Sequence, residues 1–377
     1  MDRLAAVLAH LQVSACAGSV QEGEGDEVLA MCDEGVGTLV LNRPRALNAL
    51  SGRMCRILER HVRAWREPHS GVRLLLIKAI GGKAFSAGGD VKDCSLDGRV
   101  GGEAPDAQFR AEYELMHWIS ASPVPQVSFM DGITMGCGAG LGINGRYRVV
   151  TERTVFAMPE TSIGFFPDVG ANWWLPRVPR HGAGLYIAMT GSRMNASDLI
   201  YTGLATHYVP SDKLGSLEEA LRAAAAGSVD SCALAPRVEQ ILAAHASQPD
   251  LSKSSLRAHA ELLSECFASP DSVEAILEAL QRRAVTSGAD PDGWAQEALS
   301  TLQKRSPTSL KLVFEAMARG GRMTFDAVLQ MEFRLAMACF KMEVAGHREG
   351  DVYEGTRAVL VDKTGDPKWH PATLAEV

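Results

Sequence analysis

The segment 136–142, which reads Gly-Cys-Gly-Ala-Gly-Leu-Gly, constrains the fold of this chain more than any other. Few side chains shield its backbone, so the main-chain N–H groups there can approach a ligand closely. If a helix follows the turn, those N–H groups lie at the positive end of the helix dipole, where a developing negative charge is stabilised. The segment therefore predicts a tight turn that presents backbone donors.

Two acidic residues follow this turn, Glu160 in Met-Pro-Glu-Thr and Asp168 in Phe-Phe-Pro-Asp. Gly164 and Pro167 lie between them, and this arrangement suits a turn that brings both acids to one pocket. Taken alone, Glu160 is typical of a solvated residue at a helix start, and Asp168 is typical of a helix cap. For each acid, the residues alone leave both interpretations open.

A second backbone donor is predicted upstream, in the segment 83–90. This segment follows the apolar run Leu74–Ile77, which is typical of a strand. A strand that ends in Ala-Gly-Gly-Asp directs the N–H of Gly89 outward and allows Asp90 to cap a following helix. Two donors that converge on one oxygen form an oxyanion hole, in which each donor contributes roughly 2.7–4 kcal/mol of transition-state stabilisation.

With these motifs, the chain resembles the crotonase (enoyl-CoA hydratase/isomerase) superfamily and, within it, the 3-hydroxyisobutyryl-CoA hydrolases. The resemblance covers nearly the whole chain after residue 30. Its general motifs are Leu39–Pro44, Leu47–Leu50, Ser86–Asp90, Arg110–Tyr113 and Asp131–Met135. The motifs more specific to the hydrolases are Met158–Thr161 with Phe166–Asp168, and Arg357–Lys363, with further similarity at Ser306–Lys311, Met331–Arg334 and Pro367–Trp369.

The pattern of strands and helices predicts an α/β fold with a helical C-terminal region. Short β-rich runs alternate with helical segments between about residues 28 and 227, and helical periodicity dominates 228–377. The resemblance implies that the first part is a crotonase-type spiral of ββα units that holds the acyl-CoA site. Residues 1–27 are interpreted as an N-terminal extension that is either a targeting segment or disordered.

The resemblance also implies the roles of individual site residues. Glu160 and Asp168 are expected to be catalytic, and the N–H groups of Gly89 and Cys137 are expected to form the oxyanion hole. Substrate contacts are expected from Ala87, Gly88, Asp90, Glu112 and Gly136. For Glu112 the competing interpretation is a surface salt bridge, because it lies on an amphipathic helix with an apolar stripe.

Cys137 departs from the family pattern, which has glycine at this position. Any residue other than proline keeps the N–H, but the thiol side chain could crowd the acyl pocket or shift the loop. A nucleophilic thiol is the alternative, and it lacks a histidine placed by the sequence to activate it. Gly140 stands where hydratases of the superfamily carry a second glutamate, so a hydratase would lack half of its acid/base pair.

The sequence predicts no metal, no separate cofactor and no nucleic-acid or membrane partner. The ten histidines and eight cysteines show no ligand spacing, so no metal is expected, and the scattered cysteines predict reduced thiols. Coenzyme A is expected only as part of the substrate. A net charge of −7 gives no general basic field for nucleic acid, and no apolar stretch is long enough for a membrane span.

These observations predict a hydrolase of a β-hydroxyacyl-CoA thioester, with 3-hydroxyisobutyryl-CoA as the expected substrate. The resemblance implies a role in valine breakdown, a mitochondrial location (otherwise cytoplasmic) and a homo-oligomer. Two alternatives remain open at this stage. One is another crotonase-type hydrolase or isomerase, and the other is a non-catalytic structural component, for example of a mitochondrial ribosome.

Overall fold

A computed structural model describes residues 27–227, 231–341, 343–344 and 347–377 of the chain. Nearly all of the predicted N-terminal extension, 1–27, lies outside these residues. The expectation that it is a targeting or disordered segment therefore stays a prediction.

A six-stranded sheet runs through the first half of the described chain. Its strands lie in the order β1, β2, β3, β5, β7 and β9, and every neighbouring pair is parallel except β1 with β2. Their bounds are β1 Val28–Asp33, β2 Val36–Leu41, β3 Leu74–Ala79, β5 Gln126–Met130, β7 Tyr147–Val150 and β9 His207–Tyr208. Strand β2 is buried along its whole length, as expected of a strand in a covered parallel sheet.

A second, three-stranded parallel sheet is formed by β4 (Ala84–Ser86), β6 (Ile133–Met135) and β8 (Val155–Ala157). After the antiparallel pair β1 and β2, three successive turns each add one strand to the large sheet (β3, β5 or β7) and the next strand to the small sheet (β4, β6 or β8) before a helix follows. This repetition is the predicted spiral of ββα units. The α/β fold class with a helical C-terminal region is confirmed.

Sixteen helices of the α type lie in the described part of the chain, and several of them begin at capping serines. Ser51 and Ser306 each cap a helix, with their side chains accepting from Met54 N–H and Ser309 N–H. The first eight helices are α1 Gly52–Arg66, α2 Val91–Arg99, α3 Ala104–Ser120, α4 Cys137–Ile143, α5 Ala171–Trp174, α6 Ala183–Thr190, α7 Ala196–Thr202 and α8 Leu214–Ala226. The others are α9 Ser231–His245, α10 Ser255–Ala258, α11 Ala260–Phe267, α12 Val273–Val285, α13 Trp294–Gln303, α14 Pro307–Gly320, α15 Phe325–Lys341 and α16 Asp351–Thr356.

The C-terminal helices pack directly on the spiral. Phe340 of α15 contacts the rings of Phe109 on α3 and Phe165, with centroid distances of 5.3 and 5.9 Å. A short hairpin, β10 (Glu343–Val344) with β11 (His347–Arg348), follows α15. The division at residue 227 stays a prediction, since one buried apolar cluster includes residues from both sides of it.

Two further expectations can be compared with the described residues. None of the helices there is both long and apolar enough to cross a bilayer. Six cysteines are free thiols, namely Cys55, Cys94, Cys137, Cys232, Cys266 and Cys339. Cys32 is disulfide-bonded, so the expectation of reduced thiols is wrong for that residue.

Asn48 fixes the start of the segment that leads to Gly89. Its buried amide Nδ2 donates to the carbonyls of Ile80 (3.0 Å) and Ala84 (2.9 Å), while its Oδ1 accepts from Arg43 N–H (2.8 Å). Its φ of 56° is a left-handed conformation that asparagine tolerates better than most residues. One side chain therefore ties three segments around β4.

Replacing this side chain should destabilise the fold measurably. We expect Asn48→Ala to lower the free energy of unfolding by about 2–4 kcal/mol, because buried backbone groups lose their partners. Urea denaturation would measure this, with the exposed Gln296→Ala as a control that should change stability by less than about 0.5 kcal/mol. A loss no larger than that of the control would contradict the assigned role of Asn48.

Candidate active site

The backbone around Gly89 is held so that its N–H faces away from the neighbouring segment. Leu50 N–H donates to Gly88 C=O (2.8 Å), and Asp90 N–H donates to Leu50 C=O (3.0 Å). In this bridge the groups that flank Gly89 face Leu50, so its own N–H points to the opposite side. Ala87 N–H donates to Leu47 C=O (3.0 Å), which anchors the segment on its other side.

The glycine turn meets this segment directly. Gly136 has a φ of +49°, and a β-carbon there would lie 3.0 Å from Oε1 of Glu160 and 3.5 Å from Cα of Gly88. Only glycine suits such a conformation and such a close approach. Helix α4 begins at the next residue, Cys137, whose N–H has no partner within the helix.

The two predicted donors are neighbours in the structure. A β-carbon at Gly89 would lie 3.7 Å from Cβ of Cys137 and 2.5 Å from Oε1 of Glu112. Gly89 and Cys137, the predicted oxyanion residues, therefore lie side by side, and Glu112 lies next to Gly89. The thiol of Cys137 is buried, and burial raises its pKa well above the usual value, as do a hydrogen bond with Cys55 and the negative charge of Glu112. These effects disfavour the thiolate that the nucleophile alternative requires.

Glu160 is buried at the start of a short 3₁₀ turn, Glu160–Ile163. Its Oε2 has no hydrogen-bond partner among the described residues. Burial raises its pKa well above the usual value, and the charge of Asp168 adds to this effect. The alternative of a solvated residue at a helix start is therefore wrong.

Asp168 is also buried, and its Oδ2 accepts a hydrogen bond from the hydroxyl of Tyr113 (2.7 Å). Burial raises its pKa to about 7, and the hydrogen bond from Tyr113 opposes that rise. The cap position of the following helix, α5, is occupied by Gly170, so the helix-cap alternative for Asp168 is wrong. No local pattern in the sequence indicates this role of Tyr113, although it lies beside Glu112 in a family motif.

Glu112 lies on the buried face of α3 rather than at the surface. Its Oε1 accepts from Gln108 Nε2 (2.6 Å), and its carboxylate lies within 4.8 Å of the sulfur of Cys137. Burial and then the charge of Asp168 raise its pKa to about 8. The surface salt bridge is wrong for this residue, and none of the ion pairs among the described residues involves Glu112, Glu160 or Asp168.

Asp90 stands at the cap position of α2, but its side chain makes no capping hydrogen bond. Oδ2 instead pairs with Nη1 of Arg43 at 2.7 Å. The predicted capping role is thus wrong, because a cation from the β2 end competes for the carboxylate. This ion pair holds the residue next to Gly89 against the end of β2.

Comparisons with known proteins identify the family of this chain. The sequence pattern of the enoyl-CoA hydratase/isomerase family matches residues 36–377. The chain belongs to this family. It is 40% identical to the mitochondrial 3-hydroxyisobutyryl-CoA hydrolase of Xenopus tropicalis, over 100% of this chain and 91% of that protein. Identity to the human mitochondrial 3-hydroxyisobutyryl-CoA hydrolase is 38%, over 98% and 90%.

Two solved structures of the family are similar over almost their whole length. A carnitinyl-CoA dehydratase from Mycobacterium thermoresistibile has a TM-score of 0.81 and 37% identity, with 94% of each chain covered. An enoyl-CoA hydratase from Rhodobacter sphaeroides has a TM-score of 0.78 and 31% identity, over 93% of this chain and 94% of that one.

Position 140 bears on which chemistry of the enoyl-CoA hydratase/isomerase family this chain performs. A β-carbon at Gly140 would lie 2.6 Å from Cγ2 of Val169 and 3.2 Å from Sδ of Met116. The side chains of Val169 and Met116 therefore fill the space that a glutamate at position 140 would need. Val169 itself has a φ of 52°, an outlier for a β-branched residue that costs about 1–3 kcal/mol.

Glu332 of α15 holds the strained turn in place. Its carboxylate accepts from Gly170 N–H (2.7 Å), Asn172 N–H (3.2 Å) and Asn172 Nδ2 (2.9 Å). Burial and the charge of Asp168 raise its pKa to about 8, which these hydrogen bonds oppose. Glu332 belongs to the family motif Met331–Arg334, but no local pattern indicates its role, because its partners lie about 160 residues earlier in the chain.

We expect Asp168→Asn to stabilise the protein at pH 8. A carboxyl with a pKa of about 7 in the folded state, above its usual value, binds its proton more tightly when folded. Its contribution to stability is therefore lost as pH rises from about 4 to 7. Because each pKa unit is worth about 1.4 kcal/mol and one hydrogen bond is lost, the net gain from the amide should be about 1–3 kcal/mol.

Denaturation at several pH values would measure this effect. The gain should be full at pH 8 and should vanish below about pH 3, where Asp168 is protonated in both the folded and the unfolded state. The exposed Asp212→Asn is a suitable control and should change stability little at either pH. A variant that is less stable than the wild type at pH 8 would contradict the pKa assigned to Asp168.

Proposed function

We propose that this chain hydrolyses the thioester of 3-hydroxyisobutyryl-CoA to 3-hydroxyisobutyrate and coenzyme A. The observation that carries this proposal is that Gly89 lies beside Cys137 and that Glu160 lies beside Gly136, the residue before Cys137, with its buried Oε2 lacking a partner among the described residues. The names of relatives that match the chain over its full length point to the same substrate. The filled space at Gly140 argues against water addition to a double bond by paired glutamates.

In this mechanism the thioester oxygen lies between the N–H groups of Gly89 and Cys137. These fixed dipoles stabilise the negative charge that develops on the oxygen as the carbonyl is attacked. Glu160 is placed to act in one of two ways. Its carboxylate attacks the carbonyl carbon to form a mixed anhydride that water then hydrolyses, or it deprotonates a water molecule that attacks the carbon directly.

The leaving group does not need a strong acid to protonate it. As the carbon–sulfur bond breaks, coenzyme A departs as a thiolate, and an ordinary thiol has a pKa near 8.5. The raised pKa of Glu160 makes it a stronger base than an exposed glutamate once it is ionised. Activity should therefore require a higher pH than an exposed carboxylate would need.

Asp168 and Glu112 supply selectivity for the hydroxyl group of the substrate. Both carboxyls are buried and already accept hydrogen bonds from Tyr113 and Gln108, so the substrate hydroxyl would use their remaining acceptor capacity, which a substrate without it would leave unfilled. Sites built to bind a substrate hydroxyl can reject the analogue without it by about 10⁴-fold or more. Ala87, Gly88, Asp90 and Gly136 shape the surrounding wall.

The remaining expectations belong to this proposal. Coenzyme A enters as part of the substrate, and the reaction needs no further cofactor. The relatives are named as mitochondrial proteins, which supports a mitochondrial location for this chain. Assembly into a homo-oligomer stays a prediction.

Free-thiol release from three substrates would test the proposal. We expect fast release from 3-hydroxyisobutyryl-CoA and much slower release from isobutyryl-CoA and crotonyl-CoA. Glu160→Gln should lower the rate by about 10²–10⁴-fold, because it removes the acid/base group without changing its size. Glu114→Gln, an exposed position on α3, should leave the rate unchanged.

The outcomes of this assay separate the alternatives. Release from another acyl-CoA alone would favour a different hydrolase of the family, and isomerisation without release would favour an isomerase. No turnover of any substrate by a well-folded sample would favour a non-catalytic structural component. Equal rates for Glu160→Gln and the wild type would refute the role of Glu160.

The oxyanion role of Cys137 can be tested through its backbone. Cys137 is the first residue of α4, where proline is sterically tolerated but has no N–H. We expect Cys137→Pro to lower the maximal rate by about 10²–10³-fold, whereas Cys137→Gly retains the donor and stays active. Circular dichroism and thermal unfolding would confirm that both variants fold. A fully active Cys137→Pro would exclude this N–H as an oxyanion donor.

A further inference from the structure

Three potential metal ligands meet beside the oxyanion segment. Cys55 of α1, Glu112 of α3 and Cys137 of α4 each offer one ligand atom, and these atoms all lie within 4.8 Å of one another. All three residues are buried, with exposed fractions of 0%, 2% and 3%. The sequence contains no metal-binding spacing because each ligand comes from a different helix.

The three side chains are close enough to share hydrogen bonds. Each thiol carries one proton, so Cys55 and Cys137 can each donate one hydrogen bond within the cluster. Cysteine binds a metal ion as the thiolate, so a cation bound to all three atoms would release both thiol protons to solvent.

The donor set and its surroundings suit a zinc-class cation. Two cysteine sulfurs and one carboxylate oxygen match the ligands of Zn²⁺, at distances of about 2.3 Å for sulfur and about 2.0–2.2 Å for oxygen. A tetrahedral ion would leave its fourth position for water. The negative charge of Asp168 acts on both Glu112 and Cys137, and no ion pair of the described residues involves Glu112.

We propose that Cys55, Glu112 and Cys137 form an inhibitory binding site for Zn²⁺ and similar soft divalent cations. The bound ion would occupy the volume beside Gly89 and draw the Cys137 and Glu112 side chains together. It would therefore exclude the acyl group from the oxyanion hole. Inhibition rests on the proposed hydrolase function, whereas metal binding does not.

Binding would be measured first, without substrate. Zn²⁺ affinity and stoichiometry come from competition with a chromophoric chelator, and Co²⁺ substitution reports thiolate ligation through its charge-transfer absorption. We expect one ion per wild-type chain and at least about 100-fold weaker binding by Cys55→Ser, since loss even of outer partners costs 10–100-fold. Cys266→Ser on α11 is a matched control, because Cys266 is a buried free thiol outside this cluster.

Thermal unfolding gives a second readout that needs no activity. Zn²⁺ should raise the melting temperature of the wild type and of Cys266→Ser, but not of Cys55→Ser, provided that it binds the folded state. Equal Zn²⁺ affinity for Cys55→Ser and the wild type would overturn the proposal. Cobalt binding without a thiolate charge-transfer band would overturn it as well.

The thioesterase assay then tests inhibition. Zn²⁺ should inhibit the wild type reversibly, with activity restored by a chelator, and should inhibit Cys55→Ser at least about 100-fold less effectively. Protection by a phosphine reductant but not by a chelator would mean that Cys55 and Cys137 form a disulfide, which would overturn the metal site. If the chain binds Zn²⁺ as expected but hydrolyses no acyl-CoA, the proposed function fails and the metal site stands.

Discussion

The carboxylate of Glu332 is the contact on which the arrangement of the site depends. It reaches from α15 into the spiral and accepts three hydrogen bonds from Gly170 and Asn172. The turn that it fixes begins with Asp168 and includes Val169 in a left-handed conformation. The C-terminal helices are therefore more than a cover for the spiral, since one of them determines where an acid of the site lies.

A second constraint is the concentration of buried acidic groups, none of which forms an ion pair with a cation of the described residues. Glu112, Glu160, Asp168 and Glu332 are all buried, and for each of them burial is the largest cause of a raised pKa. Such an arrangement costs folding free energy at neutral pH and above. It also brings the pKa values of these acids closer to neutral pH, where acid/base catalysis needs them. Shifted pKa values of this kind are common in active sites.

Local sequence signals predicted much of the fold. The buried strands, the helix start at Ser306 and the tight turn at Gly136 follow from apolar runs, capping residues and glycine. Family motifs then pointed to Glu160 and Asp168, which the structure brings to one buried region. The missed contacts are long-range. Tyr113 meets Asp168 across 55 residues, and Asp90 pairs with Arg43 across 47, so neither partner could be found from local spacing.

The contact between Gly140 and Val169 has a consequence for how activities diverge within this family. A glutamate at position 140 would collide with Val169, which is held in its strained turn by the hydrogen bonds of Glu332. Replacement at position 140 alone would therefore disturb the fold before it added any new acid/base chemistry. An evolutionary path from this chain to a two-glutamate enzyme has to reshape the turn first, so the order of the substitutions matters as much as their identity.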